Sequence, residues 1–298
     1  EVEKEKLNVD MYALNDRVND LYFGILLLDE QIKQNTLLQD ELERNYRQIT
    51  AYVENGIANQ ADLDAVKVEQ LNTKQKRIDL VSSRAAYLKM LSLLVGEALS
   101  PETVLEKPVP QSTVSAVSEI RRPELALFDA QGAGLQVQEK ALNVRHFPQF
   151  GLFVQGAYGN PGLDMLKNEF SPYYMAGVRL SWNFGSLYTL KNDRRVIEKK
   201  RQQLDNNRDI FLFNTRLEMT QQDQAIHSLE KQMRDDDEII RLRTNIRKAA
   251  EAKVANGTLT VTEMLRELTN ESLARQSKAM HEIQRLMGIY QLKYTTND

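Results

Sequence analysis

Two stretches decide how this sequence folds: Val53-Glu54-Asn55-Gly56-Ile57-Ala58-Asn59-Gln60-Ala61-Asp62-Leu63 and Val254-Ala255-Asn256-Gly257-Thr258-Leu259-Thr260-Val261-Thr262-Glu263-Met264. Each places Asn-Gly at the end of a long run of helical periodicity, and a second such run follows within a few residues. Glycine ends a helix because it enters the left-handed conformation without a Cβ penalty. The two stretches stand at an offset of 201 residues, Asn55 to Asn256, and the same offset aligns Gln31 with Gln232, Ala51 with Ala252, Asp62 with Glu263 and Leu63 with Met264. A shared helix, Asn-Gly tip and helix layout at fixed spacing reads as an internal repeat.

Working outward from the first tip, Leu14, Val18, Leu21, Ile25, Leu28, Ile32, Leu38, Leu42, Ile49 and Val53 recur in steps of three, four or seven. That spacing traces one helix face over residues 1–55, about 80 Å at 1.5 Å per residue. The return helix, 60–98, carries Leu63, Val66, Leu71, Ile78, Val81, Leu88, Leu91 and Val95, and Gly96 and Pro101 stop it. From the second tip, a helix extends back over 187–256, about 105 Å if unbroken, and a last helix runs over 260–293. The expected units are a helical hairpin over 1–99, a connector over 100–121, a helix over 122–146 opened by Arg122-Pro123-Glu124-Leu125, a strand hairpin over 147–186, and a second helical hairpin over 187–298. The fold class is mainly α with a small β-hairpin.

Helix breakers are distributed accordingly. All seven prolines lie between Pro101 and Pro172, and eight of the thirteen glycines lie between Gly132 and Gly185. An alternating α/β enzyme would spread its turn residues along the chain. With 42% hydrophobic and 27% charged residues the 298-residue chain can pack a core, and a net charge of -3 offers no basic field for nucleic acid. There is no cysteine, which excludes disulfides and thiol chemistry. The longest apolar runs, such as Ile25-Leu26-Leu27-Leu28, fall far short of the roughly 20 residues of a spanning helix.

The strand hairpin is marked by period two. Phe150, Leu152, Val154, Gly156 and Tyr158 alternate with Gly151, Phe153, Gln155 and Ala157, and a polar Gly/Pro loop over 159–172 follows. In the second strand Tyr174, Ala176, Val178, Leu180, Trp182 and Phe184 point one way, and Gly177, Arg179, Ser181 and Asn183 the other. About eleven residues with one apolar face match a membrane-barrel strand, and aromatic residues at both ends match interfacial girdles.

In this order and spacing the residues resemble the outer-membrane efflux proteins, the TolC-like channels. The resemblance covers essentially the whole chain. It rests on Arg122-Pro123-Glu124-Leu125 at a helix start, Phe147-Pro148 before a strand, Gly177-Val178-Arg179-Leu180-Ser181-Trp182 within one, and the tip Gly257-Thr258-Leu259-Thr260-Val261-Thr262-Glu263-Met264-Leu265. It implies a homotrimer whose strand hairpins form a β-barrel in the outer membrane and whose helices form a periplasmic α-barrel tunnel. The implied role is a passive exit duct for a drug-efflux or secretion system, gated by helix repacking at the tips. An inner-membrane transporter would supply energy and a periplasmic adaptor would dock at the tips. The family's protomer has a strand hairpin in each repeat, and here the counterpart of 150–184 would fall about 17–51 residues before residue 1. The first half-repeat is therefore expected to be truncated, with the gene extending at least ~80 codons upstream. Three copies of this chain would supply six strands where the family barrel uses twelve.

The resemblance assigns roles residue by residue. Tyr174, Val178, Leu180, Trp182 and Phe184 would face lipid, and Arg179, Ser181 and Asn183 the lumen. Asp62 and Glu263, each six positions after its tip glycine, would form an acidic ring at the periplasmic entrance, with Arg266 where the family has a second acid. Read from position alone, both acids equally suit a helix N-terminal turn, where a carboxylate offsets the helix dipole. The tips, Asn55, Gly56, Ile57 and Asn59 with Asn256, Gly257, Thr258, Leu259 and Thr260, are the expected adaptor contacts. Asp235-Asp236-Asp237 reads as a solvated helix face, and His146, His227 and His281 lack the spacing of zinc ligands. No catalytic constellation, cofactor motif or metal site is expected. A soluble coiled-coil scaffold or periplasmic adaptor explains the long hairpins but not the alternation at 174–184.

Overall fold

In a computed structural model the chain is described over residues 1–109, 118–145, 147–182 and 184–297. The elements run α1 (Val2–Glu54), α2 (Gln60–Val95), α3 (Pro123–Val144), β1 (Gln149–Gly159), β2 (Ser171–Ser181), α4 (Gly185–Ala255) and α5 (Val261–Thr296). Long helices joined by two-stranded β structure are what the sequence pattern requires. The strands form one antiparallel sheet, with register Gln149↔Ser181 through Val154↔Ala176 to Gly159↔Ser171. Pro110, His146 and Asn183 lie outside the described residues.

Two compact units divide the chain, one built from Glu1–Lys6 and Glu124–Phe211, the other from Leu7–Pro123 and the residues from Leu212 onward. In the first, α3 lies along the N-terminal part of α4. Phe128 meets Phe211 with ring centroids 5.9 Å apart. Arg194, Arg201 and Arg208, spaced by seven on α4, reach Asn143 at 2.7 Å, Glu139 at 3.1 Å and Asp129 at 2.9 Å on α3. A step of seven returns to nearly the same helix face, so the three arginines stitch one seam.

The second unit holds the core. Leu21 and Ile25 of α1 pack on Leu88 and Leu91 of α2. Phe23 and Leu26 pack on Ile283 of α5. Met219 and Ile226 of α4 pack on Leu292. At the tips all four helices share one cluster, in which Leu42, Ile49 and Val66 meet Ala250, Val254, Val261, Met264, Leu265 and Leu268. Residues after α2 lie against this bundle: the Tyr22 hydroxyl donates to the Glu106 carbonyl at 2.6 Å, and Lys107 pairs with Glu30 at 2.8 Å. Arg84 pairs with Asp29 and donates to the carbonyls of Pro101 (2.6 Å) and Thr103 (2.7 Å).

The α4–α5 seam is ionic. Glu230 pairs with Arg285 at 2.9 Å, Asp237 with Lys278 at 2.5 Å, and Thr244 donates to Glu271 at 2.7 Å. Positions 230, 237 and 244 rise by seven while 285, 278 and 271 fall by seven, the register of two antiparallel helices. Within the run Asp235-Asp236-Asp237, the outer two residues are exposed and the middle one is not. Successive helical residues point about 100° apart, so Asp236 turns inward, 5% exposed, against His281 Nδ1 at 2.9 Å, and Asp237 lies at the rim.

Candidate functional site

Two regions carry the candidate residues: the strand hairpin and the helical tips. In the hairpin the register places Phe150, Leu152, Val154, Gly156 and Tyr158 on one face with Leu180, Val178, Ala176, Tyr174 and Pro172. None of that face is covered by the chain, and its centre is most exposed, with Leu152 at 87% and Val154 at 81%. Burying Phe150, Leu152, Val154, Val178 and Leu180 would contribute roughly 8–15 kcal/mol at 1.5–3 kcal/mol each. That is comparable with the whole stability of a typical domain, and so large a contiguous apolar face marks a partner or membrane surface.

On the opposite face the two strands make a local side-chain contact. The Phe153 ring lies across Gly177, where an added Cβ would meet ring carbons at 3.0 Å. Arg179 sits over the same ring, 5.6 Å from its centroid. A glycine opposite an aromatic lets the ring cover the ladder, and the guanidinium over it forms a cation–π contact. Ser181 pairs with Gln149 on this face. Aromatic residues gather at both ends: Tyr158 stacks on Phe170 at 5.8 Å near the loop, and Trp182 meets Phe184 at 4.3 Å near the helices. The ladder ends at Ser181, so Trp182 and Phe184 follow the strand rather than belonging to it. Asn183, expected on the lumen side, lies outside the described residues.

At the tips the two repeats share the same turn and the same cap. Asn55 Nδ2 donates to the Ala51 carbonyl at 2.7 Å, and Asn256 Nδ2 to Ala252 at 2.8 Å. Gly56 has φ 73° and Gly257 φ 67°, both left-handed. The Ile57 amide returns to Tyr52 O at 2.8 Å and the Thr258 amide to Lys253 O at 2.9 Å. Asn59 and Thr260 then cap α2 and α5, each in a reciprocal box with the acid three residues on. Asp62 Oδ2 accepts from the Asn59 amide at 3.1 Å. Glu263 Oε2 accepts from the Thr260 amide at 3.2 Å and its hydroxyl at 2.8 Å. Those bonds, with the Arg266 charge as a smaller influence, hold the Glu263 carboxyl below its ordinary range. Both acids are thus helix caps within the chain. Arg266 reaches its neighbour Glu267 at 3.5 Å.

A third cluster was not singled out in the sequence. Glu271 is 3% exposed and accepts from Arg247 Nε at 2.5 Å, Thr244 at 2.7 Å and Arg275 at 2.6 Å. Arg247 also reaches Glu41 of α1 at 3.3 Å and pairs with Glu251. Burial alone would raise the Glu271 carboxyl, but hydrogen bonds from Arg275, Thr244 and Arg247 and the Arg247 charge hold it below the usual range. The heptad spacing of polar residues on α4 and α5 is the signal that would have found it.

Among the described residues no group of three or more His, Cys, Asp or Glu is placed to hold a metal ion. Among the same residues no helix is long and apolar enough to cross a membrane. No family model and no curated protein matches the sequence. Solved structures do. The outer membrane protein VceC of Vibrio cholerae superposes with TM-score 0.80 at 11% identity, over 99% of this chain and 72% of its own. The open-state MtrE outer membrane channel of Neisseria gonorrhoeae gives 0.75 at 12%, over 99% and 68%. The Campylobacter jejuni CmeC outer membrane channel gives 0.74 at 12%, over 99% and 66%. The chain therefore spans about two thirds to three quarters of the length of these channels. Over 99% of its length the chain has the fold of the TolC-like outer-membrane channels.

Proposed function

We propose that the chain is a protomer of an outer-membrane channel, a passive exit duct for an efflux or secretion machine, and not an enzyme. The observation that carries this reading is the uncovered apolar face of the β1–β2 hairpin. Eleven residues at about 3.3 Å each, tilted by about 40°, rise some 28 Å, close to the apolar band of an outer-membrane barrel. Lipid would cover that face, while Arg179, Ser181 and the opposite side of β1 would face the lumen. The helical hairpins over 1–99 and 187–298 would form the periplasmic tunnel, joined by the connector over 100–121, with the helix over 122–146 leading to the barrel hairpin over 147–186.

Self-assembly has support on the helices of the second unit. Val68, Leu71 and Ile78 of α2 are exposed, as are Ile246, Leu242 and Ile239 of α4. The tips lie in one cluster, so both rows can be measured from them. At 1.5 Å per residue Val68 and Ile246 both stand roughly 15 Å from the tip, Leu71 and Leu242 roughly 20 Å, and Ile78 and Ile239 roughly 25–30 Å. Two different apolar edges at matched heights suit a heterologous interface that closes into a ring. A homotrimer is the proposed ring.

At the open end of that ring, Asp62 and Glu263 would add carboxylates at the tunnel entrance while still capping their helices. The double variant D62N/E263Q keeps an acceptor oxygen at each cap and removes both charges. Its channels in planar bilayers should show a several-fold lower cation-to-anion permeability ratio, since rings of acidic side chains set cation preference. Unchanged selectivity would remove the ring from the proposal. Absence of any conductance from the wild-type protein would favour the coiled-coil scaffold instead.

The same tips are proposed to dock a periplasmic adaptor that links the duct to an inner-membrane transporter. Ile57, exposed at the first tip, offers an apolar contact. A photoreactive residue at Ile57 or Thr258 should crosslink to the helical tips of the cognate adaptor, and one at the solvent-facing Lys191 should not. Equal labelling at all three positions would count against tip docking.

A further inference from the structure

The two helical hairpins share one plan, and they differ in the chemistry buried along it. Both tips are capped alike and the helices running from them are unbroken, so the offset of 201 carries from the tips along all four arms. Equivalent positions are buried in both repeats: Ile25 and Ile226, Ile49 and Ala250, Leu91 and Leu292. Equivalent pairs are also bonded in both. Gln70 donates to Glu43 at 3.0 Å in the first, and Thr244 donates to Glu271 at 2.7 Å in the second.

Among the described residues the only buried carboxylates are Asp236 and Glu271, both in the second hairpin. Their counterparts are Asn35 and Gln70, in each case the amide of the same shape. Asn35 Nδ2 donates to the Thr73 carbonyl at 3.1 Å, and Gln70 bonds Glu43; neither amide titrates. The position of His281 is taken by Leu80, and that of Arg247 by Tyr46. Nature has thus placed the acid in one repeat and its neutral isostere in the other, twice.

We infer that the α4–α5 hairpin is held by a buried, acid-releasable carboxylate contact that the α1–α2 hairpin replaces with an amide. Around Glu271 stand Thr244, Arg247 and Glu251 of α4, Glu267 and Arg275 of α5, and Glu41 of α1. Around Asp236 stand His281, Lys278 and Glu282 of α5 and Asp237 of its own helix, with Glu30 of α1 and Lys107 beyond Glu282. Proton uptake by Glu271 removes the charge that binds Arg247 and Arg275. The Glu271 carboxyl is held below its ordinary range, so its stabilisation is complete above that range and is lost as pH falls through the lowered value. In the first hairpin Arg84, which pairs with Asp29, also donates to two backbone carbonyls, acceptors that carry no proton. The device stands whether or not the chain conducts ions.

Hydrogen exchange of the full chain in detergent tests this, with intrinsic rates corrected. Between about pH 7.5 and about pH 2, reaching below the ordinary carboxylate range because the Glu271 carboxyl is held below it, peptides covering 240–275 should lose at least about tenfold more protection than peptides covering 39–74, the order expected for losing a charge-assisted hydrogen bond. In D236N/E271Q the second hairpin carries the amides of the first, and this difference should shrink below about twofold. Parallel loss of protection in both hairpins of the wild type would overturn the inference, even if the variant failed to fold. So would a double variant that kept the wild-type difference.

Discussion

Val154→Arg should abolish outer-membrane assembly, while Gln155→Arg, one residue along, should leave it intact. Val154 sits at the middle of β1, pairs with Ala176, and lies on the uncovered apolar face. An arginine at the bilayer midplane of a barrel costs about 2–4 kcal/mol. In the proposed ring of three copies the cost would be incurred three times, about 6–12 kcal/mol, enough to prevent insertion. Gln155 pairs with Met175 on the opposite face, where Arg179 is already accommodated over Phe153. Leu180→Arg should do less damage than Val154→Arg, because Leu180 lies one residue from the strand end and a long side chain can reach the interface there. Membrane fractionation with heat-modifiable mobility reads all three. Normal assembly of Val154→Arg would show that this face meets protein or water, and the channel reading would fall with it.

The tips were legible in the sequence because each is fixed by local chemistry. Asn-Gly sets the left-handed turn, and Asn59 with Asp62, or Thr260 with Glu263, caps the next helix within four residues. The strand faces were legible for a similar reason, since period two states which side a residue takes. Period two does not state where pairing stops. Gln149 is the first residue of β1 and pairs with Ser181, which leaves Trp182 and Phe184 without a strand beside them. The ion-pair seam between α4 and α5 was missed because each partner lies 24 to 55 residues from the other, as Arg247 does from Glu271 and Glu230 from Arg285. Only the register of two packed helices brings such residues together. Reading Asp235-Asp236-Asp237 as one face ignored the helical rotation that sends its middle member inward. Similarly, Asp62 and Glu263 stood out by spacing from the glycine, and the capping bonds explain that spacing without any neighbouring copy.

Arg247 is the residue whose loss should destabilise the bundle most. It touches three helices through carboxylates on each: Glu41 on α1, Glu251 on its own α4, and Glu271 on α5. Arg247→Met keeps the stem volume and removes the charge, leaving Glu271 buried with one arginine partner instead of two. Breaking a buried pair costs up to about 3–5 kcal/mol, and here the buried Glu271 charge is left with Arg275 and Thr244 alone. Replacing both members, Arg247→Met with Glu271→Leu, removes the stranded charge and should restore stability to within about 1 kcal/mol of wild type. Denaturant unfolding of the helical signal in detergent gives both values. A single-variant cost below about 1 kcal/mol would mean that solvent already reaches the site, as at a surface ion pair. The asymmetry between single and double variants separates two reasons for keeping such a cluster. If apolar replacement is as stable as the ionic one, net stability is not what the cluster contributes. Its contribution is then the register of α5 against α4 and α1, because a guanidinium facing three carboxylates fits one alignment, whereas Leu against Met fits several.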